Sequence, residues 1–166
     1  MNDILLRSPQ PGDADLILKW ENDPENRNIS DWNGPYSKED IRALIRSLNE
    51  AGDQPEQIRM MIVDSGNYCY GAVDAFQVNH AAGKSGIGIL IAEKKYRRKG
   101  IASSAIRQME KHLFETYGVD HFEARIHDGN HASIRLFESL GYSKNATEHN
   151  AILPNADYIH TFELKL

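Results

Sequence analysis

The spacing of apolar and polar positions changes period several times along this chain, and each change marks an element. Ile4-Leu5-Leu6 reads as a short strand, closed by Ser8-Pro9-Gln10-Pro11-Gly12, a stretch that cannot continue a ladder. Asp13 then stands where a helix N-cap is expected, with Leu16, Ile17 and Trp20 on one helical face and Asp23-Pro24 as the stop. Residues 22–36 are rich in Asn, Asp, Gly and Pro and read as loop. Ser37-Lys38-Glu39-Asp40 has capping-box spacing, and Ile41, Leu44, Ile45 and Leu48 follow at i, i+3, i+4 and i+7, which predicts a second helix.

Ile58 to Val63 and Tyr68 to Val78, joined through Ser65-Gly66-Asn67, predict an antiparallel hairpin, and Gly86 to Ala92 a third, strongly apolar strand. From Gly100 the period turns helical, with Ile101, Ala105, Met109 and Leu113 as the buried stripe and Gly118 as the stop. Phe122, Ala124 and Ile126 alternate with Glu123, Arg125 and His127 in a strand. Ala132 to Leu140 is helical and ends at Gly141, Tyr158 to Leu166 is the closing strand, and another strand is expected near residue 150. The order is β-α-α-β-β-β-α-β-α-β-β. The third long strand, the Gly100 helix and the Phe122 strand form a βαβ unit, so those two strands should run parallel. Ligands of such sheets bind beyond the carboxyl ends of the parallel strands, here near Ile91 and His127.

A length of 166 residues fits one domain, 1–166, at the usual ~100 to 200 residues per domain. With 24 acidic residues against 19 Lys plus Arg, the net charge of −5 argues against a nucleic-acid partner. The lone cysteine, Cys69, excludes an intrachain disulfide framework and a multi-thiolate zinc site, and it sits in an apolar strand with no activating neighbour in sequence. The N-terminus lacks a basic segment followed by a long apolar run, and no apolar run reaches the ~18 residues of a membrane span. A cytoplasmic protein without membrane contact is expected.

Against the acidic background, five of the six residues from Lys94 to Lys99 are basic, and Gly100 follows at the start of a helix. Cations at a helix N-terminus oppose its dipole by ~0.3 to 1 kcal/mol each unless an anion offsets them. Gly100 permits close backbone approach and the first helical turn offers unpaired N–H groups, so a pyrophosphate is the ligand this segment suits. Neither a G-x-G-x-x-G nor a Walker loop is present.

Arg97-x-x-Gly100-x-Ala102 resembles the first signature of the GNAT superfamily of acetyl-coenzyme A-dependent N-acetyltransferases. Asn130-His131-Ala132-Ser133-Ile134-Arg135-Leu136-Phe137-Glu138-Ser139-Leu140-Gly141-Tyr142 resembles its second. Leu6-Arg7, Trp20-Glu21-Asn22-Asp23-Pro24 and Pro35-Tyr36-Ser37 are similar to the branch holding ribosomal-protein and spermidine/diamine N-acetyltransferases. The resemblance implies an α/β domain with a mixed, mostly antiparallel sheet, a central parallel βαβ unit and helices on both faces. It implies acetyl-coenzyme A as co-substrate; no metal is expected from the residues themselves. Arg97, Arg98, Lys99, Gly100, Ile101, Ala102 and Ser103 would hold pyrophosphate; Ile89, Leu90 and Ile91, on a strand that splays from its neighbour, the pantetheine; and Asn130, Ser133 and Phe137 the cofactor arm.

The chain departs from the family at two points. Phe137, seven residues after Asn130, replaces the frequent tyrosine acid, and Ser85-Gly86-Ile87-Gly88 lacks the frequent glutamate base. His127 is the best-placed substitute base, weighed against a surface histidine on a solvated strand face, and Glu123 is farther from the expected cleft. His127 and His131 lack the helix and glutamate of a zinc motif. Glu21, Asp23 and Asp31 give the substrate loop a carboxylate excess that suits a cationic acceptor, either a spermidine-like amine or a peptide N-terminus, unless they merely cap helices. A non-catalytic acyl-coenzyme A-binding or sensor protein is the alternative, and self-association is left open.

Overall fold

The computed structural model describes residues 4–27, 34–149 and 158–166. Strand β1 (Leu5–Arg7) leads to helices α1 (Ala14–Glu21), α2 (Pro24–Arg27) and α3 (Lys38–Asn49). Strands β2 (Ile58–Val63), β3 (Cys69–Asn79) and β4 (Lys84–Ile91) follow, then α4 (Ile101–Tyr117), β5 (His121–His127), α5 (His131–Ser139), β6 (Ser143–His149) and β7 (Tyr158–Lys165). The strands form one seven-stranded sheet in the order β1-β2-β3-β4-β5-β7-β6. The β4–β5 pair is parallel, as the βαβ unit requires, and the others are antiparallel.

Period-2 alternation gives the sheet two apolar faces. On one, Ala14, Ile17 and Trp20 of α1 and Ile41 and Ile45 of α3 pack against Met61, Val63 and Ala72. On the other, Ala105, Ile106, Met109 and Leu113 of α4, with Phe137 of α5, meet Ile62, Val73, Ile87, Phe122, Ala124 and Ile126. Helices therefore cover both faces in a mixed α/β fold. The expected α3 box is present: the Asp40 N–H donates to Ser37 Oγ at 3.2 Å and the Ser37 N–H donates to the Asp40 carboxylate at 2.7 Å. Gly118 (φ +69°) and Gly141 (φ +91°) stop α4 and α5 in the left-handed region, where a Cβ is costly.

Behind α5, a buried polar network fixes its end to α4. Glu110 is 3% exposed and accepts from Tyr142 Oη and Arg107 Nη1, both at 2.8 Å, while Arg107 also donates to the Leu140 carbonyl. Burial and the neighbouring carboxylate push the Tyr142 phenol upward, so it remains a donor.

Two local expectations are corrected and a third is located. The Asp13 side chain does not cap α1; it lies in a 3-10 turn (Pro11–Asp13) and accepts from Arg7 at 2.7 and 2.9 Å and from the Gln10 N–H at 2.7 Å. A bidentate guanidinium is a stronger partner than one helical amide. Within 22–36, expected as loop, Pro24–Arg27 is helical, with Pro24 supplying a preset φ and Asp23 accepting from the Glu25 N–H at 2.9 Å. The strand expected near 150 is β6, which begins two residues after Gly141; all seven of its residues are exposed on the sheet edge, so it carries little apolar alternation. Among the described residues no helix is long and apolar enough to cross a membrane.

Burial alone would raise the Asp13 pKa, but the hydrogen bonds from Arg7 and Gln10 outweigh it and hold the carboxyl below its ordinary range. The pair's contribution is therefore fully present above about pH 4 and is lost as pH falls below that, through the depressed folded value. Asp13→Asn should cost about 1 to 3 kcal/mol at pH 7 by urea unfolding, and the gap from the parent protein should narrow below pH 4.

Candidate functional site

Strands β4 and β5 pair at only three positions, Lys84↔His121, Ser85↔Phe122 and Gly86↔Glu123. β4 stays paired with β3 as far as Ile91, and β5 with β7 as far as His127, so the two central strands part in a wedge. The Ala92 N–H donates to the Tyr70 carbonyl at 2.9 Å, and strand alternation then turns the N–H groups of Ile89 and Ile91 to the open edge. The Ile91 carbonyl also faces this edge, where it accepts from Arg97 Nε at 3.1 Å. Backbone closeness holds the other side: a Cβ on Gly71 would sit 1.8 Å from the Leu90 oxygen.

A cavity of about 320 Å³ lies at the wedge, bordered by Ile89, Leu90 and Ile91 of β4. Arg97, Arg98, Gly100, Ala102 and Ser103 line it from the loop and the start of α4, and Asn130 and Ser133 from the start of α5. Arg98 (φ +58°) and Gly100 (φ +79°) both take left-handed backbone to turn the loop into α4. The first α4 amide bonded back into the helix is that of Ser104, to the Gly100 carbonyl at 3.0 Å, so the N–H groups of residues 101–103 have no i−4 carbonyl. Partial positive charge from the helix end adds to Arg97 and Arg98.

Asn130 serves two purposes. Its Oδ1 caps α5 by accepting from the Ser133 N–H at 3.2 Å, and its N–H donates to the His127 carbonyl at 2.9 Å, which ties the helix start to the end of β5. Tyr96, Ala132, Arg135 and Leu136 also line the cavity, although sequence reasoning named none of them as site residues. Arg135 and Leu136 stand three and four residues after Ala132, on the same helical face, which is the signal that could have found them. Tyr96 packs edge-on against Tyr70 at 4.9 Å between centroids.

The remaining expected site residues lie outside the cavity lining. Lys99 Nζ stands 5.6 Å from the Tyr96 ring centre, and Ile101 packs against the core. Phe137 is 3% exposed and meets the Tyr142 ring edge-on at 4.9 Å. His127 is 8% exposed, not on a solvated face, and its buried Nδ1 has no hydrogen-bond partner among the described residues. Glu21 pairs with Arg59 at 2.7 Å, Asp23 caps α2, and Asp31 lies outside the described residues. Lys94 bonds Glu25 at 2.8 Å and so links the basic loop to α2.

Two other features lie apart from the wedge. A groove of about 620 Å³ beside the end of α3, lined by Arg46, Glu50 and Glu56, contains no residue of either motif. His121, Glu123 and Glu163, at the closed end of the β4–β5 pair, bring potential ligand atoms within 4.8 Å of one another, with Lys84 Nζ 3.4 Å from Glu123.

The cap on α5 gives Asn130 a structural role that can be measured on its own. Asn130→Ala should lower stability by about 1 kcal/mol, whereas Asn130→Ser, which retains a capping oxygen, should recover most of it; chemical unfolding measures both.

Residues 3–143 match the family described as acetyltransferase (GNAT) domain. A prophage-derived uncharacterized N-acetyltransferase of Bacillus subtilis (strain 168) is 26% identical over 155 residues, covering 93% of this chain and 84% of that protein. Among solved structures, spermidine N-acetyltransferase from Vibrio cholerae in complex with CoA and spermine superposes with a TM-score of 0.83 at 18% identity, covering 98% and 94% of the two chains. A ribosomal L7/L12 α-N-protein acetyltransferase in complex with coenzyme A does so with a TM-score of 0.85 at 13% identity, again covering 98% and 94%.

Proposed function

The chain belongs to the GNAT acetyltransferase family and is an acyltransferase, and from that premise we propose that it moves an acetyl group from acetyl-coenzyme A to a primary amine. The observation that carries this reading is the wedge: the β4–β5 ladder ends at Gly86↔Glu123, and residues of both signature segments border the opening just beyond it.

The donor set fits coenzyme A on physical grounds. Arg97, Arg98 and Arg135 with the unpaired α4 amides suit a pyrophosphate, and the exposed edge of β4 suits an amide-bearing arm that can add to it like a strand. Acetyl-coenzyme A, when bound, would supply the acetyl group as an activated thioester open to direct attack by the amine. The N–H groups of Ile89 and Ile91 are the donors for developing negative charge on the acetyl oxygen, since that of Ala92 is already bonded to Tyr70. His127 is the group that takes the amine proton: it ends β5 across the wedge from β4, and its buried Nδ1 lacks a partner among the described residues. A covalent route through Cys69 is disfavoured, because burial pushes its thiol upward and its Sγ is bonded to the Gly71 carbonyl at 3.5 Å.

Two acceptor classes agree with this site, a spermidine-like polyamine and a protein N-terminal amine. Likeness to a spermidine acetyltransferase and to an α-N-protein acetyltransferase supports them equally. The α-amine is partly neutral near pH 8, whereas polyamine ammonium groups, with pKa values nearer ~10, need more help from a base.

Coenzyme A release with spermidine and with a Ser-initiated peptide tests the reading, and turnover of neither amine class overturns it. In the same assay His127→Gln should lower kcat by about 10²-fold while leaving the acetyl-coenzyme A-induced rise in Tm unchanged. Gly100→Val should abolish most of that ligand-induced rise, since a side chain at φ +79° both strains the loop and bars approach to its amides.

A further inference from the structure

The face of the sheet opposite the α4–α5 cavity carries an ionic triad just where the wedge begins. Arg59 of β2 donates from Nη1 to Glu21 Oε1 at 2.7 Å, from Nε to Asp74 Oδ1 at 2.7 Å and from Nη2 to Asp74 Oδ2 at 3.2 Å. The side chains of Arg59, Glu21 and Asp74 are only 14%, 25% and 20% exposed. Burial works against the guanidinium charge, but Asp74 and then Glu21 more than offset it and raise its pKa, so Arg59 stays charged. Two carboxylates on one cation leave the triad one negative charge in excess. Among the described residues neither carboxylate is paired with a second cation.

The triad lies beside bare backbone. In the β3–β4 ladder Asp74 is directly opposite Gly88 and Phe76 opposite Gly86. The tip of the Phe76 ring lies over Gly86, where a Cβ would come within 2.3 Å of it. At Gly88 a Cβ would meet Asp74 Cβ and the Phe76 ring at an ordinary 3.7 Å, so packing does not exclude a side chain there. Gly88 is also the first residue on this face beyond the last β4–β5 pair, and the open-edge amide of Ile89 follows it. A carboxylate, an aromatic edge and an uncovered peptide thus meet at the mouth of the wedge.

We infer that Asp74 is the acceptor-binding carboxylate of this enzyme, holding the ammonium of a cationic amine over Gly88, with Arg59 as its positioning residue and Glu21 adding negative charge. The inference rests on the acetyl-transfer reading and names the acceptor side of the same site. The excess charge attracts a cation, and the amine reaches the wedge from the face opposite the cofactor cavity.

The test separates the two ideas. Steady-state rates are measured with spermidine and acetyl-coenzyme A varied in turn, and the spermidine-induced rise in Tm is measured without acetyl-coenzyme A. Asp74→Asn should raise KM for spermidine at least tenfold, leave KM for acetyl-coenzyme A within twofold and remove the spermidine-induced rise; Asp74→Glu should restore part of both. Gly88→Val, which covers the peptide while leaving the charges of the triad in place, should have the same effect and decides the matter if Asp74→Asn does not fold. An unchanged spermidine KM in folded variants, or equal movement of both KM values, overturns the assignment. If the parent protein releases no coenzyme A with any amine, acetyl transfer fails, while a spermidine-induced Tm rise that Asp74→Asn removes still supports the acceptor site, and its absence overturns it.

Discussion

The proposed function depends on β4 and β5 being held apart after three residue pairs. Parallel strands left to themselves would continue to pair, because an unbonded N–H or C=O away from water is costly. Here each strand is committed on its outer side: β4 to β3 up to Gly71↔Ile91, and β5 to β7 up to His127↔Ile159. The α4 and α5 helices fill the space behind them with Ile106, Met109 and Phe137. Closing the wedge would have to carry β3 along with β4, or β7 along with β5, against the helices packed behind them, so the exposed β4 edge is a stable feature that a ligand can use without reorganising the fold.

The two faces of the wedge differ in charge. On the α4–α5 side, Arg97, Arg98 and Arg135 add to the positive end of a helix. On the other, Asp74 and Glu21 outnumber Arg59. A chain of net charge −5 thus keeps its clustered cations on the face suited to an anionic cofactor and leaves carboxylates on the face suited to a cationic amine. The Lys94–Glu25 pair joins the basic loop to α2.

Much of the fold was legible because periodicity and punctuation agree within each element. Gly118 and Gly141 take the left-handed backbone their positions as helix stops suggested, and the stripe of Ala105, Met109 and Leu113 is fully buried. What escaped was set by distant partners. Asp13 reads as a cap until Arg7 is folded beside it. Strand β6, exposed throughout, offers no alternation to read. His127 occupies an alternating polar position, yet the end of β5 buries it. The cavity's basic residues from 97 to 98 stood out as a run, but Arg135 is an unremarkable helix residue until Ala132 places its face.

Arg59 illustrates the limit most clearly. In sequence it is one polar residue in Ile58-Arg59-Met60, the kind of position that normally points to water in a half-exposed strand. In the fold it is largely buried between carboxylates 38 residues before it and 15 after it. A buried ion pair is seldom retained for stability alone, since well-packed apolar residues often replace one at no loss. Arg59 also sits where the sheet is about to open, with Gly88 leaving the adjacent peptide bare. The arrangement is explained if its value lies in holding two carboxylates in fixed positions at the mouth of the wedge, where free side chains would swing toward solvent. A fixed negative pair costs no reordering when a cation arrives, which is the physical basis of preorganised recognition.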